Sequence, residues 1–286
     1  MTTPQTRDGL APRHREFAFS DADFDALRKL VKDITGINLT EQKRELVYGR
    51  LARRLRVLQL RTFAEYRDLL SEDGGEEIRE LCNAITTNLT SFFRENHHFE
   101  YLRDHVLAPL QANRSAPRRV RIWSSACSTG EEPYSLAMTV LESFPDLRGW
   151  DVKILATDLD SDVLAKAQRG IYAAERVRAI GPQRLSRFFA ERRGREATYE
   201  VRPELTSLIT FKQLNLMHPL PMKGPLDAIF CRNVVIYFDK DTQRELFSRI
   251  AQLQRPGNLL FLGHSESLFK VSESYTPIGK TVYRRS

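Results

Sequence analysis

An alternation that begins after His98 constrains this chain more than any other feature. Five short apolar runs, VRIWSSA, VKILATDLD, LITFKQLNL, LDAIFCRNVVIYF and NLLFLGHS, are interleaved with helix-spaced segments such as PYSLAMTVLESF, SDVLAKAQRG and TQRELFSRIAQLQ. Strands that alternate with helices pair in parallel through crossovers, so the pattern predicts βαβ units and a doubly wound sheet. The tail, SYTPIGKTVYRR, reads as an antiparallel hairpin. One connection breaks the rule. Residues 171–207 join a helix to a strand where a few residues would be enough. They hold a helical stretch, GPQRLSRFF, and a strand-like one, ATYEVRPELTSLI, and are expected to form an inserted β-subdomain.

The chain before this alternation has a different period. Residues 1–17 are expected to be a disordered leader. Ser20 then suits a helix N-cap, with Asp21 and Asp23 at the positive end of the dipole and Gly36 as the stop. A second helix starts near Thr40 and Glu41 and carries Val47, Leu51, Leu55 and Leu58 on one side. TFAEYRDLLS and EEIRELCNAIT continue the pattern, so residues 18–85 are expected to form an all-helical N-terminal domain, followed by an α/β domain over 86–286.

Composition excludes several classes. No apolar run reaches the ~20 residues of a membrane span, and the first residues lack a signal's apolar core, so a cytoplasmic chain with no direct membrane insertion is expected. Cys82, Cys127 and Cys231 are an odd, scattered set, which argues against a disulfide framework. His97 and His98 are adjacent and expected to diverge on a helix, so no metal is expected. The formal charge of +7 admits an acidic protein, a membrane surface or a nucleic acid as partner without choosing.

Ligands of open α/β sheets bind at the carboxyl ends of the strands, where this chain is polar four times in succession. After the first strand comes SSACSTGEEPY, residues 124–134. Its small residues allow a tight turn and a close backbone approach, but two acids stand where a phosphate would be repelled. That disfavours a dinucleotide and favours a ligand with positive charge; an ordinary helix start is the alternative. Asp158 ends the second strand, either as a ribose ligand or as a cap, and Asp160 is better placed for capping. Asn215 and Leu216 follow the third strand, and Arg232, Asn233 and Tyr237 follow the fourth. TTNLTSFFRE, residues 86–95, joins the two domains and is either a further part of the site or a polar linker.

Taken together, TTNLTSFFRE, ACSTGEEPYS, ATDLD, NL at 215–216, FCRNVVIYFD and GHSES at 263–267 resemble the chemotaxis receptor methyltransferases, the CheR family. The resemblance runs from about residue 18 almost to the end. It implies a class I, Rossmann-like S-adenosylmethionine methyltransferase domain with a small inserted β-subdomain, preceded by an all-helical domain. It also implies the activity, esterification of glutamate side chains on methyl-accepting chemotaxis receptors. Matched position by position, the cofactor contacts would be Asn88, Thr90, Arg94, Glu131, Asp158, Asn215, Leu216, Arg232 and Asn233. Tyr237 would stand beside the transferring methyl, and the 171–207 insert would match a subdomain that docks a receptor C-terminal peptide in some members.

A glutamate carboxylate is ionised at neutral pH, so no strong base is required, and alignment and desolvation carry the catalysis. Arg94 and Tyr237 are the candidate catalytic residues; Arg94 could hold the substrate's carboxylate or the cofactor's. Lys43, Arg50, Arg53, Arg54 and Arg56 are expected to share one exposed helix face that meets the acidic receptor, the alternative being a merely solvated face. A nucleic-acid methyltransferase would need stacking aromatics around the methyl, and a non-catalytic cofactor-binding regulator would not need Arg94, Asp158, Asn233 and Tyr237 intact.

Overall fold

Ser20 starts the first helix through a capping box. Its hydroxyl accepts from the Asp23 N–H at 3.1 Å, and the Asp23 carboxylate accepts from the Ser20 N–H at 3.0 Å. Such caps contribute about 1 kcal/mol. The computed structural model describes residues 15–72, 75–113, 115, 117–144 and 146–286. Helix α1 (Asp21–Thr35) ends where Gly36 takes a left-handed φ of 74°. A single 3₁₀ turn then leads into α2 (Arg44–Leu58), followed by α3 (Phe63–Glu72) and α4 (Glu76–Ile85). Phe24, Leu27, Val47, Leu51, Leu55, Phe63 and Tyr66 close this helical unit around its own apolar core. Residues 1–14 of the expected leader lie outside the described residues. Its last residues are tied down: the Glu16 carboxylate pairs with Arg56 at 2.7 Å, and the Phe17 N–H donates to the Tyr48 hydroxyl at 3.3 Å.

The second unit begins with α5 (His97–Leu102), which runs through a π-turn into α6 (Ala108–Ala112). Strand β1 (Arg119–Ser124), α7 (Glu131–Ser143), β2 (Asp151–Asp158) and α8 (Ser161–Arg169) form the first βαβ unit. The insert supplies β3 (Ile171–Ala173), α9 (Ala174–Val177), α10 (Pro182–Phe188), β4 (Phe189–Arg192), β5 (Thr198–Val201) and α11 (Pro203–Thr206). Then follow β6 (Ile209–Gln213), β7 (Ala228–Phe230), α12 (Lys240–Ala251), β8 (Leu259–Phe261), β9 (Tyr275–Gly279) and β10 (Val282–Arg285).

Seven strands form one sheet in the order β6-β2-β1-β7-β8-β10-β9. The first five are parallel, and the β9–β10 hairpin completes the edge antiparallel. Burial on both faces explains why the parallel strands read as near-continuous apolar runs. Trp123 and Phe230 are fully buried at the centre, and the Trp123 indole N–H donates to the Thr157 hydroxyl at 2.9 Å.

The insert makes a second, antiparallel sheet in the order β3-β5-β4. Part of GPQRLSRFF departs from the helical expectation, since Phe189 opens β4 instead. Nor is the insert a free appendage. Tyr172, Val177, Ile180, Phe188, Phe189 and Val201 are buried in the same cluster as the sheet's Ile122, Ile154 and Phe230. The two larger units are also joined. Ile37 bridges Phe238, the Asn38 N–H donates to the Tyr237 carbonyl at 2.8 Å, Lys32 pairs with Asp239 at 2.7 Å, and the Asn83 amide donates to the Ser161 hydroxyl at 2.9 Å.

Candidate active site

The carboxyl ends of β1, β2, β6 and β7 open into one cleft with a free volume of about 1190 Å³ counted out to solvent. The helical unit forms the opposite wall, with Ile37, Asn38, Leu39, Lys43 and Leu46 facing the strand ends. The cleft is therefore shared between the two units. Residues 86–91 and Arg94 also line it. Four non-glycine residues in these loops have positive φ: Phe93 (51°) and Glu95 (57°), which bracket Arg94, together with Ser128 (49°) and Asn233 (57°). Left-handed backbone at such positions costs about 1 kcal/mol or more and collects where a site must hold side chains in place.

Asp158 is buried at the tip of β2 and lines the cleft. Its two oxygens accept from the backbone N–H groups of Ser128 (2.7 Å) and Asp160 (3.0 Å), leaving a further lone pair on each. Burial pushes its pKa up to about 6, against the pull of those N–H donors. As expected, Asp160 and not Asp158 caps α8, accepting from the N–H groups of Asp162 and Val163. Asp160 also accepts from the Thr86 hydroxyl and the Asn88 amide, both at 2.7 Å. Asn88, Thr90 and Arg94 line the cleft, and the Arg94 guanidinium donates to the Leu89 carbonyl at 2.9 Å.

Gly130 caps α7 in a left-handed conformation (φ 97°), and a Cβ there would stand 2.8 Å from the Tyr172 hydroxyl. The turn sends its two acids to different places. Glu131 was expected at the cofactor. Instead its fully buried carboxylate pairs with Arg176 of the insert and accepts from the Thr129 hydroxyl at 2.6 Å, away from the cleft. Glu132, one position on and rotated about 100° around the helix, is the acid that lines the cleft. It accepts from the Ser124 hydroxyl at 2.7 Å and from Arg232 at 2.8 Å; burial raises its pKa despite Arg232.

Arg232 was expected as a cofactor contact, and it does line the cleft. Its side chain is 1% exposed and already committed, to Glu132, to the Arg94 carbonyl (2.5 Å) and to Glu95 (3.4 Å). It therefore ties down the Arg94 backbone. Asn215 and Leu216 line the cleft as well, but the Asn215 amide donates to the Ile34 carbonyl at 2.7 Å and its oxygen accepts from the Met217 N–H. That side chain joins the two walls. Asn233 and Tyr237 complete the lining, the latter in a 3₁₀ turn over Val235–Tyr237.

The two adjacent histidines do not diverge. Their rings lie 4.1 Å apart because His97 opens the helix, and both point an Nε2 at the Lys280 carbonyl. With Glu95 they are close enough to share an ion, but the Arg232 guanidinium at 3.4 Å from Glu95 supplies the local positive charge. Burial alone would raise the Glu95 pKa; the His264 hydrogen bond and Arg232 outweigh it and bring it down to about 2.

The basic helix also differs from expectation. Arg54 turns inward to Glu77 (2.5 Å) and Glu80 (3.2 Å), and Arg50 donates to the Ile85 (2.6 Å) and Thr86 (2.8 Å) carbonyls at the end of α4. Arg56 pairs with Glu16. Lys43 and Arg53 remain on the exposed side, and Lys43 belongs to the cleft wall. Acids and carbonyls of neighbouring segments thus hold Arg50 and Arg54, which the sequence pattern assigned to solvent, while Arg56 stays exposed beside Glu16.

Comparison with known proteins decides the family. Residues 22–86 match the model of the CheR methyltransferase all-alpha domain, and residues 88–284 match that of the CheR methyltransferase SAM binding domain. The chain belongs to the CheR methyltransferase family. Chemotaxis protein methyltransferase 2 of Pseudomonas aeruginosa is 46% identical over 274 residues, covering 94% of this chain and 95% of that one. Chemotaxis protein methyltransferase of Escherichia coli is 44% identical over 273 residues, covering 94% and 92%. A probable chemotaxis protein methyltransferase of Rhizobium etli is 46% identical over 253 residues, covering 87% and 94%. This CheR chain is a methyltransferase whose cofactor is S-adenosylmethionine, with the doubly wound sheet read from its strand pattern and the class I fold that the resemblance implied. Among the described residues no helix is long and apolar enough to cross a membrane.

The cleft suits that cofactor chemically. The buried Ser125 hydroxyl on the lining has no nitrogen or oxygen partner among the described residues, only the weak Cys231 thiol beside it, and Asp158 keeps lone pairs for two ribose hydroxyls and places a carboxylate on the lining. Sequence reasoning missed Glu132, Ser125 and the apolar wall of the helical unit. Glu132 was legible as half of an acidic pair, but which half faced the ligand depended on helix phase.

Proposed function

We propose that this chain esterifies glutamate side chains on the cytoplasmic domains of methyl-accepting chemotaxis receptors. The observation that supports this reading is a cleft whose lining includes Arg94 and Tyr237, a guanidinium and a phenol suited to holding a carboxylate, with no histidine among the described lining residues. The bound cofactor supplies an electrophilic methyl on a sulfonium. The protein's task is to bring a hydrated, weakly nucleophilic carboxylate into line with it. Alignment of this kind can supply several kcal/mol, roughly 7–11 in ideal cases.

Asp158 holds the ribose hydroxyls. Asn88, Thr90, Asn215, Leu216 and Asn233 complete the cofactor's surroundings, with Glu132 in the place first given to Glu131. Arg94, fixed through its carbonyl by Arg232, presents a guanidinium to a carboxylate, and Tyr237 donates its hydroxyl to the reacting glutamate. The wall of Leu39, Leu46 and Ile85 excludes water from that approach. Lys43 and Arg53 attract the acidic receptor, and the antiparallel sheet of the insert offers its β4 edge to an extended receptor C-terminal segment. The site of action is the cytoplasm.

The test is incubation with methyl-labelled cofactor and receptor-containing membranes. Base-labile label on receptor glutamates is the expected result. Label that appears only on RNA, or no transfer by a protein that binds cofactor, overturns the proposal.

A further inference from the structure

Glu266, in the GHSES segment, is 5% exposed and pairs with no cation among the described residues. Its carboxylate instead accepts from five backbone N–H groups. One oxygen takes Gly263 (2.6 Å) and Asn233 (2.9 Å); the other takes Val234 (2.9 Å), Val235 (3.0 Å) and Ile236 (3.3 Å). Four of these donors are consecutive residues of the loop that ends in Tyr237. Burying a carboxylate without a counter-ion is costly, and only such a concentration of N–H dipoles offsets it. Gly263 is required for the fit, because a Cβ there would stand 2.4 Å from the Asn233 amide nitrogen and 2.9 Å from the Glu266 carboxylate.

We propose that Glu266 is a positioning residue for methyl transfer, gathering the Asn233–Ile236 amides into the one turn that presents Tyr237 to the cleft. This inference rests on the role given to Tyr237 above. Without the carboxylate, the left-handed Asn233 (φ 57°) and the N–H groups behind it lose their common acceptor. The carbonyl side of the turn is held elsewhere, by Gln243 on Val235 (2.8 Å) and Phe238 (3.0 Å) and by Asn38 on Tyr237. The turn therefore persists but drifts, and a misplacement of about 1 Å can cost about a hundredfold in rate. The ribose acid Asp158 and the β6 end lie on other strands and stay in place.

Glu266→Gln keeps the size but replaces one acceptor oxygen with a donor. Receptor methylation, cofactor affinity and thermal unfolding are measured for this variant, for Tyr237→Phe and for the double variant. The expected result is a fall in kcat of about tenfold or more for Glu266→Gln, with receptor KM changed less than about threefold and cofactor Kd, which the turn touches only through Asn233, rising clearly less than kcat falls. In the Tyr237→Phe background the same change should cost less than about threefold further, since the residue it places has lost its hydroxyl. Equal losses in both backgrounds, an unchanged kcat, or a cofactor affinity that falls as far as kcat overturns the inference. If Tyr237→Phe alone turns over normally, the reading of Tyr237 fails first and this one with it. Should Glu266→Gln not fold, Glu266→Asp keeps the charge but withdraws it from the five N–H groups and must give the same non-additive pattern.

Discussion

Protonation of Asp158 should govern cofactor affinity in mildly acidic solution. Burial holds its pKa at about 6 in the ligand-free protein, while two ribose hydroxyls donating to it would favour the ionised form and return the pKa toward 3.8. At pH 7 about nine in ten molecules carry the anion; at pH 5 about one in ten does. The Kd for S-adenosylmethionine should therefore rise about tenfold, or about 1.4 kcal/mol, between pH 7 and pH 5. The stability of the ligand-free protein has the opposite sign. A raised folded pKa leaves the contribution intact below the unfolded value near 4, and it is lost as pH rises through about 6. The displacement of about two units corresponds to about 3 kcal/mol as an upper bound. Calorimetric titration at pH 5, 6 and 7 measures the affinity. Asp158→Asn is the control that separates Asp158 from Glu132, whose pKa is also raised by burial in the same cleft. That variant should bind more weakly by about 1.5–3 kcal/mol at pH 7 and lose the acid dependence. A flat wild-type Kd, or the same slope in Asp158→Asn, would refute the ribose assignment.

Tyr237→Phe should lower kcat by about tenfold or more and leave cofactor Kd nearly unchanged; parallel losses in both would make Tyr237 a binding residue. Arg54→Ala should destabilise the helical unit by about 3 kcal/mol, read by chemical denaturation, because it strands the 7%-exposed Glu77 carboxylate. Phe188→Ala should cost about 3–5 kcal/mol in the same assay, since the insert shares the main core; a near-zero cost would mean the insert is separable after all. Arg53→Glu should slow receptor methylation at low salt and much less at high salt, where the Debye length falls below about 8 Å, with cofactor Kd unaffected. Equal effects at both salts would leave Arg53 a solvated side chain.

Local chemistry determined much of this protein in advance. The capping box at Ser20, the stop at Gly36, the cap at Asp160 and the parallel strands from 119 to 261 depend on period and on residues a few positions apart, so they were legible without a fold. The four polar strand ends were legible too, and the structure brings them to one cleft, because strand ends are set by strand order along the chain. Tertiary structure decided where side chains found their partners. Helix phase turned Glu131 to Arg176 and gave Glu132 the cleft; α4 drew in Arg54 through Glu77; α1 and α2 became a wall of the site; and Glu266 met a loop some 30 residues earlier. A buried charge takes whichever neighbour can neutralise or solvate it, and that neighbour belongs to the folded chain, not to the motif that carries the charge.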